Sequence, residues 1–177
     1  MYINYSDSDV KIDGRPSIFL AGPTRRDENK NLSWRREAEQ ILKEFHFDGI
    51  IYVPEFKENV PWDNKYLKRQ TDWEWKALDA ASIIVFWIPR ELNEMPGFTT
   101  NIEFGRYITS KPESVVLGYP GWAKKMSYME YLYNTVTGRK SHNELKATLQ
   151  EAVDMIKKGQ KFYDWCRKDA KWFSRMG

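Results

Sequence analysis

The sequence predicts an α/β fold: a single flavodoxin-like or Rossmann-like domain whose parallel sheet carries helices on both faces. Short apolar runs recur along the chain, and stretches with helical spacing of apolar residues separate them. The central run is rich in β-branched and aromatic residues and lacks polar alternation, which is typical of a strand buried on both faces. Strands that alternate with helices in this way indicate parallel pairing.

The predicted elements follow one another in a regular order. Strands are predicted at residues 17–22, Ile50–Val53, Ile83–Trp87 and 114–118, and a proline follows each within two residues. Helices are predicted at residues 34–45, 66–81, from about Thr100 onward, at 141–158 and at 161–173. Residues 126–136 fit either a helix or an edge strand. Residues 1–14 are expected to be peripheral, so one domain spans 1–177 with a core over about 17–158.

Composition narrows the class of protein. The chain has 177 residues, of which 41% are apolar and 30% are charged, as in a globular domain with a substantial core. The net charge of +3 calls for no polyanionic partner. Residues 157–175 carry seven Lys or Arg against two Asp. We interpret this basic helix, 160–175, as a solvated amphipathic face and expect no nucleic-acid partner, although nucleic-acid binding is the minority alternative.

Cysteine and histidine are scarce. A single cysteine, Cys166, rules out an internal disulfide and fits a reducing compartment. No leader and no run long enough to cross a bilayer is visible, so we expect a cytoplasmic protein without a membrane partner. His46 and His142 are too far apart in the sequence for a zinc or triad signature. We therefore expect no metal and no cofactor.

The segment 82–108 is the best candidate for an active-site segment, because it joins the central strand to a helix bearing Glu103. Open α/β sheets place their chemistry at the carboxyl ends of such strands. The pattern from Thr100 to Glu103 matches a capping box, which is a structural alternative for Glu103. If Glu103 lies in the first helical turn, the helix dipole holds it ionised. An ionised, positioned carboxylate is what attack on a sugar anomeric carbon requires.

Two other clusters carry candidate residues. The loop after the first predicted strand contains Gly22, where the backbone can approach a ligand, and then Arg25 and Arg26, which can recognise an anion. On the helix before the central strand, Asp72 or Glu74 is a candidate sugar contact or second acid, and spacing does not choose between them. Asp79 lies two turns after Asp72 and is more typical of a solvated face. Trp87, at the end of the central strand, is a candidate for stacking on a base.

Several motifs, in a fixed order along the chain, carry a resemblance to a known family. They are FLAGPTRR, the SWR helix start, VPEF after the second strand, WEWKALDAASIIVFWIPRE and GFTTNIEFGRYI. Together they cover about residues 18–118, and the ordered set resembles the nucleoside 2-deoxyribosyltransferase-like family. The resemblance implies an enzyme that acts on the N-glycosidic bond of nucleosides or nucleotides. It also implies a homodimer or a higher homo-oligomer.

The resemblance also implies roles for particular residues. Glu103 matches the family's E-x-G nucleophile, which attacks C1′ and forms a covalent glycosyl-enzyme, and Asp72 or Glu74 matches its sugar-binding acid. Where the family's transferases have a tyrosine on the first strand, this chain has Phe19. Six residues before the nucleophile, where they have an aspartate, it has Gly97, so the group that protonates the base is unassigned. The predicted substrate-binding residues are Phe19, Ala21, Gly22, Pro23, Thr24, Arg25, Trp87, Thr100 and Asn101.

The sequence thus predicts a retaining N-glycosidic enzyme, either a nucleoside 2-deoxyribosyltransferase or a nucleotide N-glycoside hydrolase. Its expected substrate is a nucleoside or a nucleoside 5′-monophosphate. The base, the sugar and the need for the phosphate stay open. The alternative from another class is a non-catalytic nucleotide-binding or sensor domain.

Overall fold

The structure, a computed structural model, describes residues 1–25, 33–56 and 64–173, without the side chains of residues 64–66 and 162–173. Five strands are present in this part of the chain: β1 (Tyr2–Tyr5), β2 (Ser17–Ala21), β3 (Ile50–Val53), β4 (Ile83–Trp87) and β5 (Val115–Gly118). Five α-helices accompany them: α1 (Trp34–Glu44), α2 (Asn64–Ala80), α3 (Phe98–Ser110), α4 (Ser127–Thr137) and α5 (Leu145–Phe173). The predicted α/β class is confirmed.

All neighbouring strands of the sheet pair in parallel, in the order β1-β3-β2-β4-β5. The chain leaves β2 toward β3 on one side and then crosses back to place β4 on the other side of β2. After β2 the chain continues into α1 on one face of the sheet, and after β4 it continues into α3 on the other face. In open α/β sheets such a switch point forms the crevice in which ligands bind.

The core consists of two apolar layers, one on each face of the sheet. Side chains of α2, α3 and α4 pack on one face, with Phe19 and Phe86 from the strands. Side chains of α1 and α5 pack on the other, with Leu20 and Val85. The residues of β2 to β5 are all buried, which explains why these strands appear in the sequence as unbroken apolar runs.

Two sequence predictions about the elements are corrected, and one open alternative is decided. Residues 1–14 are not peripheral, because β1 adds a strand to the sheet edge and the fully buried Asn4 side chain accepts from the Lys11 amide at 2.7 Å. The ambiguous stretch 126–136 is a helix, α4. The two predicted C-terminal helices are one continuous helix, α5, which starts at Leu145 rather than after a Ser141 cap. The basic side chains beyond Lys161 lie outside the described residues.

Candidate active site

The crevice at the switch point is closed on one side by the turn after β2. Gly22 has a φ of +154°, and a Cβ built on it would lie 2.1 Å from the backbone oxygen of Trp87 and 2.9 Å from Cζ2 of Trp34. No side chain fits there, so glycine alone lets the end of β2 approach the end of β4 this closely. Next to it, Pro23 is buried and lies against Gly97, whose constructed Cβ would be 3.3 Å from the proline ring. The turn thereby places the start of α3 beside the end of β2.

Arg35, on the first turn of α1, holds this turn in place. Its side chain is 1% exposed. Nε donates to the carbonyl of Leu20 at 3.0 Å and Nη2 donates to the carbonyl of Gly22 at 2.7 Å. Nη1 donates to the hydroxyl of Thr24 at 3.1 Å and to Glu55 Oε1 at 2.7 Å. One buried guanidinium thus connects the end of β2, its loop and the loop after β3.

The neighbours of Arg35 complete the same arrangement. Ser33 caps α1 by accepting from the amide of Arg35, and its hydroxyl donates to Glu55 at 2.8 Å. Trp34 donates its indole N–H to the carbonyl of Pro23 at 3.1 Å. Sequence reasoning did not place Arg35 or Glu55 in the site. The available signal was their presence in the SWR and VPEF motifs of the family resemblance.

Glu103 does not belong to a capping box. The N-cap of α3 is Gly97, in the left-handed region at φ +64°, and it makes no side-chain cap bond. Thr100 is therefore the third helical residue, and Glu103 is the sixth, in the second turn. The predictions that Thr100 caps the helix and that Glu103 lies in the first turn were wrong. The Pro96-Gly97 turn starts the helix three residues earlier than the capping pattern indicated.

The environment of Glu103 favours its neutral, protonated form. Burial, and then repulsion from the carboxyl group of Glu74, raises the pKa of Glu103 to about 8, and Arg35 opposes this shift. The predicted ionised state at a helix N-terminus was wrong, because a carboxyl in the second turn lies beyond the strongest part of the helix dipole. No hydrogen-bond partner holds the Glu103 carboxyl among the residues that the structure describes.

Glu74, not Asp72, is the acid beside Glu103. Burial raises the pKa of Glu74, while Arg35 and a hydrogen bond from Gln70 Nε2 at 2.9 Å to its Oε1 lower it. Asp72, two residues earlier on α2, points to solvent. Asp79 is exposed and accepts from the hydroxyl of Tyr107 at 2.7 Å, which fastens α2 to α3 away from the crevice. Of the two candidate acids on α2, Glu74 is therefore the one whose charge acts on Glu103.

The other predicted binding residues fall into two groups. Phe19, Ala21, Trp87 and Thr100 are each at most 6% exposed. The ring of Trp87 lies in the apolar layer between the sheet and helices α1 and α5, and would have to leave that layer to stack on a base. Thr24 is exposed, Arg25 is half-buried, and Asn101 is exposed with its side chain hydrogen-bonded to Arg90 Nη2. Arg26 lies outside the described residues.

The loop between β4 and α3 is built by its own acid. Oε2 of Glu91 accepts from the amides of Asn93 and Glu94, both at 2.9 Å, and these amides help to lower its pKa. This is an acid-capped turn, a common use of a carboxylate in a loop. These contacts give Glu91 a structural role in the loop, so we do not place it among the candidates for protonating a leaving base.

The described residues contain neither a metal-ligand cluster nor a helix able to span a membrane. No group of three or more His, Cys, Asp or Glu side chains there is arranged to hold a metal ion. Of the helices in the described part of the chain, none combines the length and the apolar character that crossing a bilayer demands. His142 contacts Glu151 at 2.6 Å, and its backbone pairs with β5.

The fold and the site define a parallel α/β domain with two half-buried carboxyl groups, those of Glu74 and Glu103, at the switch point of its sheet. The chain belongs to the nucleoside 2-deoxyribosyltransferase-like family, whose sequence model matches residues 15–121, more than half of the chain. The match includes β2 to β5, Glu74 and Glu103, and leaves out β1, α4 and α5. A search of curated proteins finds no match.

Six chains of solved structures are similar to this chain, and one of them can be named. It is described as a 2-deoxyribosyltransferase from the psychrotolerant bacterium Bacillus psychrosaccharolyticus. The TM-score is 0.48 and the sequence identity is 19%. The match covers 70% of this chain and 92% of that one.

Proposed function

We propose that this chain is an enzyme acting on the N-glycosidic bond of nucleosides or nucleotides, with Glu103 as the nucleophile. The observation that carries this proposal is the Glu103 carboxyl itself. It is half-buried at the crevice, has no hydrogen-bond partner among the described residues, and has a second carboxyl, Glu74, close enough to raise its pKa. Retaining glycosidases typically use two carboxyl groups that flank the bond to the anomeric carbon. Family membership supports the nucleoside as substrate.

The chemistry requires two displacements at C1′ of the sugar. In the first, a Glu103 oxygen forms a bond to C1′ while the C1′–N bond breaks and its electron pair leaves with the base. The product is a glycosyl ester of Glu103 and a free base, which takes up one proton. In the second, a water molecule or another base attacks C1′ and restores the Glu103 carboxylate. Water gives a hydrolase, and a base gives a 2-deoxyribosyltransferase.

The carboxyl pair supplies a proton for this sequence. The pKa values of both Glu74 and Glu103 are raised, so at neutral pH the pair keeps at least one proton in the free protein. As the base leaves, positive charge develops at the sugar and favours the ionised form of Glu103. The proton then resides on Glu74, which donates it to the leaving base. In the second displacement, the attacking water or acceptor base releases one proton, which returns to Glu74 and restores the pair.

A chromatographic assay for free base tests the activity. The protein is incubated with a panel of nucleosides and 5′-monophosphates, with and without a second base as acceptor. Release without acceptor identifies a hydrolase, and exchange only with acceptor identifies a transferase. Comparing each nucleoside with its monophosphate tests whether a phosphate near Arg25 is required. No release from any substrate contradicts the proposal.

The nucleophile is tested separately by mass spectrometry and substitution. Stopping the reaction in acid should leave a protein whose mass is increased by one glycosyl group, with the added mass on the peptide that contains Glu103. Glu103→Gln should abolish both release and adduct, because an amide oxygen is a poor nucleophile. Asp72→Asn is the matched control on an exposed acid and should keep activity. Near-normal release by Glu103→Gln would sink the mechanism.

One observation favours a second candidate function, a nucleotide sensor without turnover. Phe19 lies at the position where the resemblance implies a tyrosine, and it is 1% exposed in the core with its ring 6.3 Å from that of Trp73. It offers the crevice no hydroxyl. A sensor would bind a nucleotide with a clear thermal shift and release no base at high enzyme concentration, whereas the enzyme shows release under the same conditions.

We infer that the chain forms a homo-oligomer. Four large side chains on the neighbouring helices α3 and α4 are between 70 and 76% exposed: Phe98, Ile102, Tyr128 and Tyr131. A face of this kind is typical of a subunit contact, and the family resemblance implies a homo-oligomer. Sedimentation equilibrium of the wild type and of Ile102→Glu should give an oligomer and a monomer, respectively. Two monomers would contradict the inference.

A further inference from the structure

Arg35 has an arrangement of contacts that packing alone does not require. A buried arginine is costly unless its donors are satisfied and its charge is paired. Its donors are satisfied by the backbone carbonyls of Leu20 in β2 and Gly22 in the turn after it, and by the Thr24 hydroxyl. Its charge is paired with the Glu55 carboxylate. The ring of Trp34 lies against the guanidinium, with 4.6 Å from the ring centroid to Cζ. The same group therefore fixes the backbone of the crevice and brings a positive charge to it.

The charge of Arg35 acts on both candidate catalytic acids. Among the described residues, it is the one cation that lowers the pKa of Glu103, and it also lowers that of Glu74. Glu55 opposes the effect of Arg35, because its carboxylate lies 2.7 Å from Nη1 of Arg35 and partly neutralises the guanidinium charge. The titratable and charged groups around the pair are thus Glu74 from α2, Glu103 and Tyr107 from α3, Arg35 from α1, and Glu55, which acts through its ion pair with Arg35.

We propose that Arg35 is a positioning residue of the active site, whose guanidinium holds the end of β2 and the turn after it in place beside Glu74 and Glu103. The catalytic consequence depends on the proposed function. The electrostatic consequence does not, because it concerns the free protein. Arg35 touches no reacting atom in this arrangement, so it acts through the backbone of Leu20 and Gly22 and through the two carboxyl groups.

The direct test is a titration of Glu103 in the free protein. Protein labelled with ¹³C at the glutamate side-chain carboxyl is titrated by NMR, and the Glu103 resonance is assigned by its loss in Glu103→Gln. Arg35→Met should move this titration to higher pH, because a cation is removed. Glu55→Gln should move it to lower pH, because an anion is removed while the amide oxygen still accepts from Arg35. Opposite shifts from two partners of one ion pair are not expected from a general loosening of the fold.

A matched control separates charge from stability. Arg139 makes similar contacts at the other end of the sheet: Nη2 donates to the carbonyls of Pro112 and Val115 at 2.8 and 2.7 Å, and Nη1 contacts Glu151 at 3.1 Å. Arg139→Met should lower the melting temperature and leave the Glu103 titration unchanged. If Arg35→Met does not fold, Arg35→Lys and Glu55→Gln still test the electrostatic role.

Kinetics test the geometric role. Arg35→Lys keeps the charge, but an ammonium group has three donors and cannot reproduce the planar fork that reaches four acceptors. It should keep the limb of the kcat/KM profile that reports Glu103 near its wild-type pH, and lose on the order of 10- to 100-fold in kcat/KM through misplacement of the turn. Glu55→Gln should move that limb to lower pH.

The outcomes are distinguishable. A Glu103 titration that is the same in wild type, Arg35→Met and Glu55→Gln overturns the role of Arg35, even if the wild type releases base. A wild type that releases no base overturns the proposed function, and opposite titration shifts would then still support the electrostatic role of Arg35.

Discussion

Replacing Glu103 by glutamine should stabilise the protein at neutral pH while it abolishes turnover. The carboxyl group of Glu103 has its ordinary pKa of 4.5 in the unfolded chain and a pKa of about 8 in the folded protein. Between these two values the folded state keeps a proton that the unfolded state has released. The stability of the wild type therefore falls as the pH rises through this window. Glutamine carries no proton to lose, so the variant lacks this contribution.

The magnitude follows from the shift. Each pKa unit corresponds to about 1.4 kcal/mol, so the wild type should lose about 3 kcal/mol from this group between pH 4.5 and pH 7. Glu74 contributes in the same direction, because its pKa is raised too. A helix cap at this position would give the opposite sign, a loss of about 1 kcal/mol.

Urea unfolding at pH 5 and pH 8 measures this difference. The gap in unfolding free energy between Glu103→Gln and the wild type should widen by at least 2 kcal/mol from pH 5 to pH 8, on the order expected from linkage. Glu44→Gln is the control, since Glu44 is 64% exposed in a surface ion pair with Lys146 and should change stability by less than about 1 kcal/mol at either pH. A gap that is equal at both pH values refutes the burial of an acid with a raised pKa at position 103.

Three further predictions concern the walls of the crevice. Gly22→Ala should cost at least about 3 kcal/mol and most of the activity, because its Cβ would lie 2.1 Å from the Trp87 carbonyl oxygen. Gly105→Ala, where nothing lies within 4 Å, should instead gain about 1 kcal/mol, and thermal unfolding measures both. Glu74→Gln should slow base release by about 100-fold or more, whereas Asp72→Asn should not. Trp87→Ala should lose about 3 to 5 kcal/mol in urea unfolding, as a core residue does, and a purely stacking role would leave stability intact.

The sheet is visible in the sequence where strands are buried on both faces. In β3, β4 and β5 every residue is buried, so an apolar run ended by a proline is sufficient evidence for the strand. The edge strand β1 has the sequence YINY and leaves Tyr2 39% exposed, so its run is neither long nor apolar. Its membership of the sheet depends on hydrogen bonds to β3, which no local pattern encodes.

The candidate site was predictable in its position and less so in its electrostatics. The carboxyl end of β4 and Glu103 follow from a buried strand, a turn and a helix. The start of that helix does not, because a capping pattern at Thr100 competes with a left-handed glycine at position 97, and here the glycine is the N-cap. Arg35 looks in the sequence like a solvated helical residue. Its role depends on carbonyl groups 13 and 15 residues away, which only the folded chain brings within reach.

The carboxyl pair connects stability to the proposed reaction. In the free protein, burial disfavours the ionised forms of both acids and the charge of Glu74 disfavours that of Glu103, which lowers the stability of the folded protein at neutral pH. A sugar that develops positive charge at C1′ reverses this preference, because the anion on Glu103 then has a partner in the same low-dielectric space. The Glu103 anion stabilises the transition state, in which C1′ carries positive charge, more than it stabilises the neutral bound substrate. Such a difference raises the rate of the chemical step without tightening substrate binding. Glu103→Gln should therefore bind nucleoside nearly as well as the wild type by calorimetry, and a large loss of ground-state affinity would contradict this account.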